Sequence, residues 1–367
     1  MTWAVIDEQT GLPAHYGNPF REQEDILQRG ALVDLSYMEI VCVQGPDRAK
    51  WLHSLGTCAF EQLKQGETGQ MLILDPNGYI AHSALATDDG TQTWLLTDSG
   101  RGRALADFLE SMKFMMRVGV TMPSLHVFAC LGGRGRLPAR IAAEAKRIWE
   151  DPWPHTSVFG ADYGLKDGDH PGLERNAVFC ALAGSSLPAE GEVCRAGLTA
   201  WEALRVRHLR PRLNSEVSNR RVLPHELDLL RCAVHLSKGC YCGQETVAKI
   251  VNLGKPPRRL VFLYLEGPEG DLPAAGTPVC CGKRKIGVLT SPARDFEQGP
   301  TALALIRRGI SPDAQLETGG FAAAQMQIVS ADGKSSVSPA QRPGAGLLRI
   351  DRHGDTSLKQ NRFTAGI

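Results

Sequence analysis

Apolar residues alternate or run together at Ala31 to Leu35 and again at Glu39 to Val43, which predicts two strands. Gly45-Pro46-Asp47 then opens a helix, with Asp47 as the expected cap and Trp51, Leu52 and Leu55 on its apolar face. Gly56 to Glu67 reads as a turn region. Gln70 to Asp75, Pro76-Asn77-Gly78 and Tyr79 to Leu85 form the pattern of a β-hairpin around Asn-Gly. Thr91 to Leu96 predicts a further strand. Arg103 to Met115 predicts a helix, because Leu105, Phe108, Leu109 and Met112 fall at helical spacing. The order describes a compact α+β region over 28–120, interleaved with the next. Residues 1–27 are polar and turn-rich and read as an extension over the surface, with Gly17 to Phe20 touching the body.

A second α+β region spans 121–256. A β run begins near Leu125. Leu131-Gly132-Gly133-Arg134-Gly135 resembles a dinucleotide loop but lacks the G-x-G-x-x-G spacing. Ile141, Ala145 and Ile148 predict one helix from Pro138 to Trp149. Asp151 to Glu174 reads as a long surface loop, and Asn176 to Ala183 as a strand. Thr199-x-x-Glu202 is a capping-box pattern opening a helix to Leu209, stopped by Pro211. Leu223-Pro224 leads into a helix through Ala233. Gln244 to Leu253 predicts another, stopped by Gly254 and Pro256. From Arg258, short strands near 258–265, 277–281, 285–290, 302–306 and 325–329 predict a small antiparallel barrel or sandwich as a third domain over 257–329. Residues 330–367 form a polar tail whose anchor is Leu347, Leu348 and Ile350.

Composition narrows the class. The chain has 367 residues, 43% hydrophobic and 22% charged, with net charge +1, so no global field favours nucleic acid. Direct nucleic-acid binding is not expected. No run approaches the length of a membrane span and no basic-then-apolar leader opens the chain, so we expect no membrane contact and a cytoplasmic location. Ten cysteines, several inside apolar runs such as Val41-Cys42-Val43, fit a reducing compartment. None makes a C-x-x-C pair, and no metal site is expected. No helix pattern is long enough for a coiled coil, which leads to a monomer.

The densest chemistry lies in Lys238-Gly239-Cys240-Tyr241-Cys242-Gly243-Gln244-Glu245. Gly239 and Gly243 allow a tight turn or a close approach. A helix starting at Gly243 or Gln244 places Cys240 and Cys242 just ahead of its N-terminus, with Lys238 nearby. Both features favour a thiolate, and a buried turn of small soft side chains is the alternative.

This K-G-C-Y-x-G-Q-E stretch resembles the signature of the YgfZ family of folate-binding proteins, relatives of the glycine cleavage T-protein, an aminomethyltransferase. Ala31-Leu-Val-Asp-Leu-Ser36, Val43-Gln-Gly-Pro-Asp-Arg48, Leu204 to Pro211, Leu223-Pro-His-Glu226 and Gly287-Val-Leu-Thr-Ser291 resemble further motifs of that superfamily, so the resemblance covers about 28–310. It implies an α+β, three-domain, ring-like fold with a C-terminal antiparallel β-barrel. It also implies a central channel for tetrahydrofolate or a folyl derivative and support of iron–sulfur enzymes, including tRNA-modifying ones, as client partners. Cys240 is then the functional thiol, met by an iron–sulfur cluster only transiently if at all. Lys238, Tyr241, Gln244 and Glu245 accompany it in the signature.

Other candidates come from chemistry. Arg205 to Arg221 holds six arginines and one glutamate. It is read either as a solvated face or as a patch for anionic groups. Arg205, Arg207 and Arg210 are candidates for the glutamate tail of a folate, since arginine holds carboxylate bidentately. Glu226 and Glu245 are candidates to accept from a pterin. His208, His225 and His235 read as local packing or surface. A folate-dependent aminomethyltransferase, or another C1-transfer enzyme, is the alternative. Against it stand the signature cysteine and the lack of an aspartate placeable in Ala81 to Asp89. A non-catalytic scaffold is the third reading. The chain departs from the family pattern where Leu209 replaces a glycine, and at Lys249 and Asn252.

Overall fold

The computed structural model describes residues 4–184 and 193–340. The expected anchor at Leu347, Leu348 and Ile350 lies outside the described residues. The described residues form two five-stranded sheets, a closed six-stranded barrel and a small two-stranded sheet of Val5–Ile6 and Pro13–His15. The first sheet runs Thr68–Leu74, Ile80–Asp88, Gln92–Thr97, Glu39–Gln44, Gly119–Thr121, every neighbour antiparallel. Its hairpin turns at Asp75 to Gly78, as the Asn-Gly dipeptide predicts. Gly78 has φ 83, and the Asp75 carboxylate accepts from the Asn77 and Tyr79 backbone N–H groups.

The second sheet runs Arg147–Glu150, Val178–Leu182, His126–Cys130, Leu32–Asp34, Arg195–Ala196. Its last pair is parallel. Leu32–Asp34 therefore leaves the first region and pairs in the second sheet, so the chain interleaves the two domains. The barrel closes in the order Arg258–Glu266, Gly299–Arg307, Arg284–Asp295, Pro278–Cys281, Leu316–Thr318, Phe321–Gln327. Closure removes the exposed strand edges a small sandwich would carry.

Several local expectations change. The N-terminal stretch is more than a surface extension. Pro19–Arg29 is a helix capped by Asn18, with Ile26 fully buried. Its polar Glu22 and Gln23 are buried because each satisfies backbone groups elsewhere. Glu22 accepts from the Tyr16 and Gly197 N–H groups, and Gln23 donates to the Arg294 carbonyl. The helix expected over 138–149 splits into Ala139–Glu144 and the strand Arg147–Glu150. Pairing with Val178–Leu182 and burial of Trp149 outweigh the helical spacing. The loop after Asp151 is not superficial: Trp153, Ala161 and Tyr163 are in the core. Three of its glycines lie against backbone: a Cβ at Gly160, Gly164 or Gly172 would sit 2.2, 2.1 or 2.8 Å from the Arg231, Ile328 or His208 carbonyl oxygen. The helix expected through Ala233 is a 3₁₀ turn, Pro224–Leu227, then left-handed Asp228 (φ 58), then Leu230–Ala233. Leu198–Arg207 starts at Gly197 without the Thr199 cap. Asp47 makes no cap bond either; its carboxylate takes Arg117.

Candidate functional site

The signature loop is built on its backbone. Gly243 is the N-terminal boundary of the helix Gln244–Asn252 and has φ 80. A Cβ there would lie 2.7 Å from the Asp75 carbonyl oxygen and 2.9 Å from the Gly78 Cα. The signature helix thus starts flush against the hairpin turn of the first domain, and glycine is required on both counts. Gly239 is different. It has open space around its missing Cβ and no left-handed backbone, so the close approach expected there does not occur.

Lys238 fastens the loop. It is 6% exposed, and its ammonium donates to the Gly56 carbonyl at 2.6 Å and to the His53 carbonyl. These carbonyls belong to the end of the helix Arg48–Leu55, where acceptors go unsatisfied. The Lys238 charge also lies 4.8 Å from the centre of the Tyr241 ring. Burial brings the Lys238 amine down to about 8. Tyr241 is buried in the main core, and burial lifts its phenol to about 12. The Gln244 amide donates to the Lys238 carbonyl at 3.3 Å. Cys240 and Cys242 are exposed and unbridged, and Glu245 is exposed on the first helical turn.

A central cavity of about 620 Å³, part of it open to solvent, lies between the first and second sheets. Tyr37, Phe179 and Trp201 give it aromatic walls. Its charged lining is Asp98, Asp151, Arg175, Glu202, Arg205, Arg210 and Arg212. None of Lys238, Cys240, Tyr241, Gln244 and Glu245 lines it.

The arginine window supplies much of this lining, but neither as a solvated face nor as a free patch. Arg205, Arg207 and Arg210 each meet an acceptor that folding brings from a distant part of the chain. Arg205 contacts Glu202 at 2.9 Å, Ser291 at 2.7 Å and Glu216 at 3.4 Å. Arg210 holds Asp151 with two bonds of 2.9 and 3.0 Å. Arg207 turns away from the cavity to Asp295 and Glu297 on the barrel side, over the Phe296 ring. Glu226 is also committed elsewhere: it accepts from Arg258 and the Leu223 N–H, and it does not line the cavity. Fully buried Glu216 accepts from the Thr290 and Ser291 hydroxyls, so the Thr-Ser pair of the barrel motif docks the third domain on the second.

The electrostatics leave some capacity unused. Burial alone would raise Asp151, but Arg210 and Arg175 hold it below the usual carboxylate range. Burial raises Asp98 against the pull of Arg212. Arg210 Nη1 and Arg212 Nε are buried and have no hydrogen-bond partner among the described residues. Leu209, standing where the family pattern has glycine, keeps a left-handed backbone (φ 58) and is fully buried. The strain, about 1–2 kcal/mol, is offset by burial of the leucine side chain.

The sequence reading missed Asp98, Asp151, Arg175 and Arg212. Asp98 follows a strand directly and could have been noticed as a polar residue at a strand end. Asp151 carried no local signal. His208 and His225 are buried, and burial lowers them to about 3 and about 4. Among the described residues, no group of three or more His, Cys, Asp or Glu could hold a metal ion, and no helix is long and apolar enough to cross a membrane.

Comparison with known proteins agrees with this architecture. The glycine cleavage system aminomethyltransferase T from Bartonella henselae superposes with a TM-score of 0.67 at 18% identity, covering 89% of this chain and 93% of that one. The aminomethyltransferase of Mycobacterium leprae is 24% identical over 310 residues, 76% of this chain and 78% of that protein. This chain is related to the aminomethyltransferase superfamily. A chloroplastic protein of Arabidopsis thaliana named as a transferase is 25% identical over 291 residues, 74% of this chain. The tRNA-modifying protein YgfZ of Aliivibrio fischeri is 32% identical over 138 residues, 36% of this chain. These matches span 63% and 42% of those two proteins' own lengths. The chain matches no family model. The superfamily relationship accounts for the barrel and the multi-domain α+β plan.

Proposed function

We propose that this chain binds tetrahydrofolate or a folyl derivative in the central cavity and acts as a folate-dependent C1-transfer protein. The observation that carries the reading is Arg210 Nη1: a buried, unpartnered donor in a cavity that also offers a raised carboxyl, Asp98, and three aromatic walls. Such a set fits a flat, polar heterocycle with both donors and acceptors. Asp98 would take the pterin edge, and Arg210 and Arg212 an acceptor on the same ligand. Bound reduced folate supplies the amine that accepts or donates one carbon. The protein residues bind, orient and exclude water. The match to the aminomethyltransferase of Mycobacterium leprae, over 76% of this chain and 78% of that protein, supports this reading.

A second reading is an accessory protein for iron–sulfur enzymes, including tRNA-modifying ones, in the cytoplasm. The exposed Cys240 on a clamped loop and the YgfZ match support it. In this reading any iron–sulfur cluster meets Cys240 only transiently. In both readings Lys238 positions the loop.

The test is calorimetry with tetrahydrofolate under anaerobic, reducing conditions, followed by analysis of the recovered folate after incubation with C1 donors. We expect binding by the wild type, weakening of about tenfold or more in Asp98→Asn, and no change in Cys240→Ala. Folate recovered as another C1 species favours transfer. Folate bound but unchanged favours the accessory role. No binding by the wild type overturns the folate reading and leaves a cysteine-bearing scaffold.

A further inference from the structure

Three basic clusters, Lys255-Pro-Pro-Arg-Arg259, Lys283-Arg-Lys285 and Arg307-Arg308, lie apart in the sequence. The barrel brings them to one end. Arg258 and Arg259 open the strand Arg258–Glu266, Arg307 closes Gly299–Arg307, and Lys283 to Lys285 turn into Arg284–Asp295. Both neighbouring pairs are antiparallel, so each strand start lies beside a strand end. Arg258 is opposite Arg307, and Gly287 is opposite Ile306, which leaves the hairpin tip next to the Arg307 end. The net charge of +1 conceals this concentration.

Most of these cations are unspent. Lys255, Lys283, Arg284, Lys285 and Arg307 are exposed, and their side chains make no ion pair or hydrogen bond among the described residues. Arg258 is neutralised by Glu226. The carboxylates of the adjoining segments, Asp313, Glu317 and Asp332, pair with none of the clusters. Behind the exposed groups stands a buried one. Arg259 is fully buried and donates to the Arg308 and Ile310 carbonyls and to the Gln325 side chain. No carboxylate meets it among the described residues. Arg259 Nη1 and Arg308 Nε are buried donors without a partner there. Burial brings the Arg259 guanidinium down to about 10, so it is still charged at neutral pH. A buried charge without its counter-charge is costly, and an anion arriving at this end lowers that cost.

We propose that this end of the barrel is a docking surface for the phosphate backbone of a nucleic-acid double helix. Cations fixed at strand ends keep their spacing, and phosphates along a duplex present a regular row of charge. Interfaces with nucleic acid are more polar and more positive than those between proteins, whose centres are apolar. None of the exposed large apolar side chains falls within the three clusters. No aromatic residue does either, so nothing stacks on an unpaired base. Contacts of this kind position a duplex without reading its sequence. None of these residues lines the central cavity, so the two sites are separate.

The experiment uses the full chain and a fluorescently labelled RNA duplex of about 20 base pairs, with a DNA duplex of the same sequence as a second arm. Anisotropy is followed as salt rises from about 50 to about 200 mM. With about four phosphates neutralised, wild-type affinity should fall roughly 100-fold over that range. Lys283→Ala/Arg284→Ala/Lys285→Ala removes three exposed side chains from a turn and should keep the unfolding midpoint near wild type. It should bind about tenfold or more weakly at low salt and flatten the log–log salt slope by about 2 to 3. Lys50→Ala/Lys64→Ala/Arg103→Ala loses the same charge from the first sheet's side of the molecule and should bind within about twofold of wild type. Binding of either duplex supports the proposal, and the tighter one names the source of the phosphate. Equal weakening in the two variants, or no binding by the wild type at low salt, overturns it. So does displacement of the duplex by polyglutamate as readily as by unlabelled duplex, because the surface then fits an acidic protein instead. No folate is present, so the outcome does not depend on the central-cavity reading.

Discussion

The signature loop and the central cavity handle reactive groups in opposite ways. The loop fixes its backbone and leaves its thiols bare: Lys238 is held by two carbonyls and Gly243 lies on the hairpin turn, while Cys240 and Cys242 face solvent. The cavity encloses its functional side chains and neutralises them against one another, as Arg210 and Arg175 do with Asp151. A loop of the first kind suits encounter with a partner or reagent from outside. A lining of the second kind suits a ligand that brings its own donors and acceptors. The difference also locates the energy. Stability should depend on the buried charges and the clamped backbone, and hardly at all on the thiols.

The largest expected effect is Asp151→Ala, which leaves two buried arginines without their carboxylate. We expect a loss of about 3–5 kcal/mol in urea unfolding. A loss below about 1 kcal/mol would remove the buried network as the distinguishing feature of the cavity. Next is Gly243→Ala, which forces a side chain onto a left-handed backbone against the Asp75 carbonyl. It should cost about 1–3 kcal/mol, whereas Gly239→Ala should stay within about 0.5 kcal/mol. Equal costs would mean that the loop is not clamped where the glycines differ.

Lys238→Met should cost about 1–2 kcal/mol through the lost carbonyl contacts. It also carries a pH signature. The folded amine titrates at about 8, below its unfolded value of about 10.4. Between these values the unfolded chain binds more protons, so this residue makes stability rise with pH in that window. The variant should lose that rise when unfolding is measured from pH 8 to 10. The smallest effect is Cys240→Ala, with a change within about 0.5 kcal/mol. A larger loss would mean that the thiol is part of the packing rather than displayed.

The hairpin, the signature helix and the antiparallel barrel were legible because each rests on local signals. Asn77-Gly78 sets the turn, Gly254 and Pro256 bound the helix, and alternating apolar residues mark the strands. The strand Arg147–Glu150 was not legible, because Ile141, Ala145 and Ile148 fit helical spacing equally well and only pairing with Val178–Leu182 decides between them. The candidate site divides the same way. Cys240 stands out in eight residues of sequence, whereas the cavity near Arg210 could not be foreseen from its arginines alone.

The sequence by itself determined several local elements, such as the Asn77-Gly78 hairpin and the strands of the barrel, since glycine and proline act on their own dihedral angles and hydrophobic spacing acts within one element. It also determined that the chain carries an unusual thiol-bearing loop. Only the tertiary structure decided which arginines are spent. Arg205 and Arg210 line the central cavity, while Arg207, two residues from Arg205, is drawn to Asp295 on the barrel. The partners of Arg207 lie 88 and 90 residues away in the chain. Charge pairing follows distance in space, and no local pattern encodes that distance.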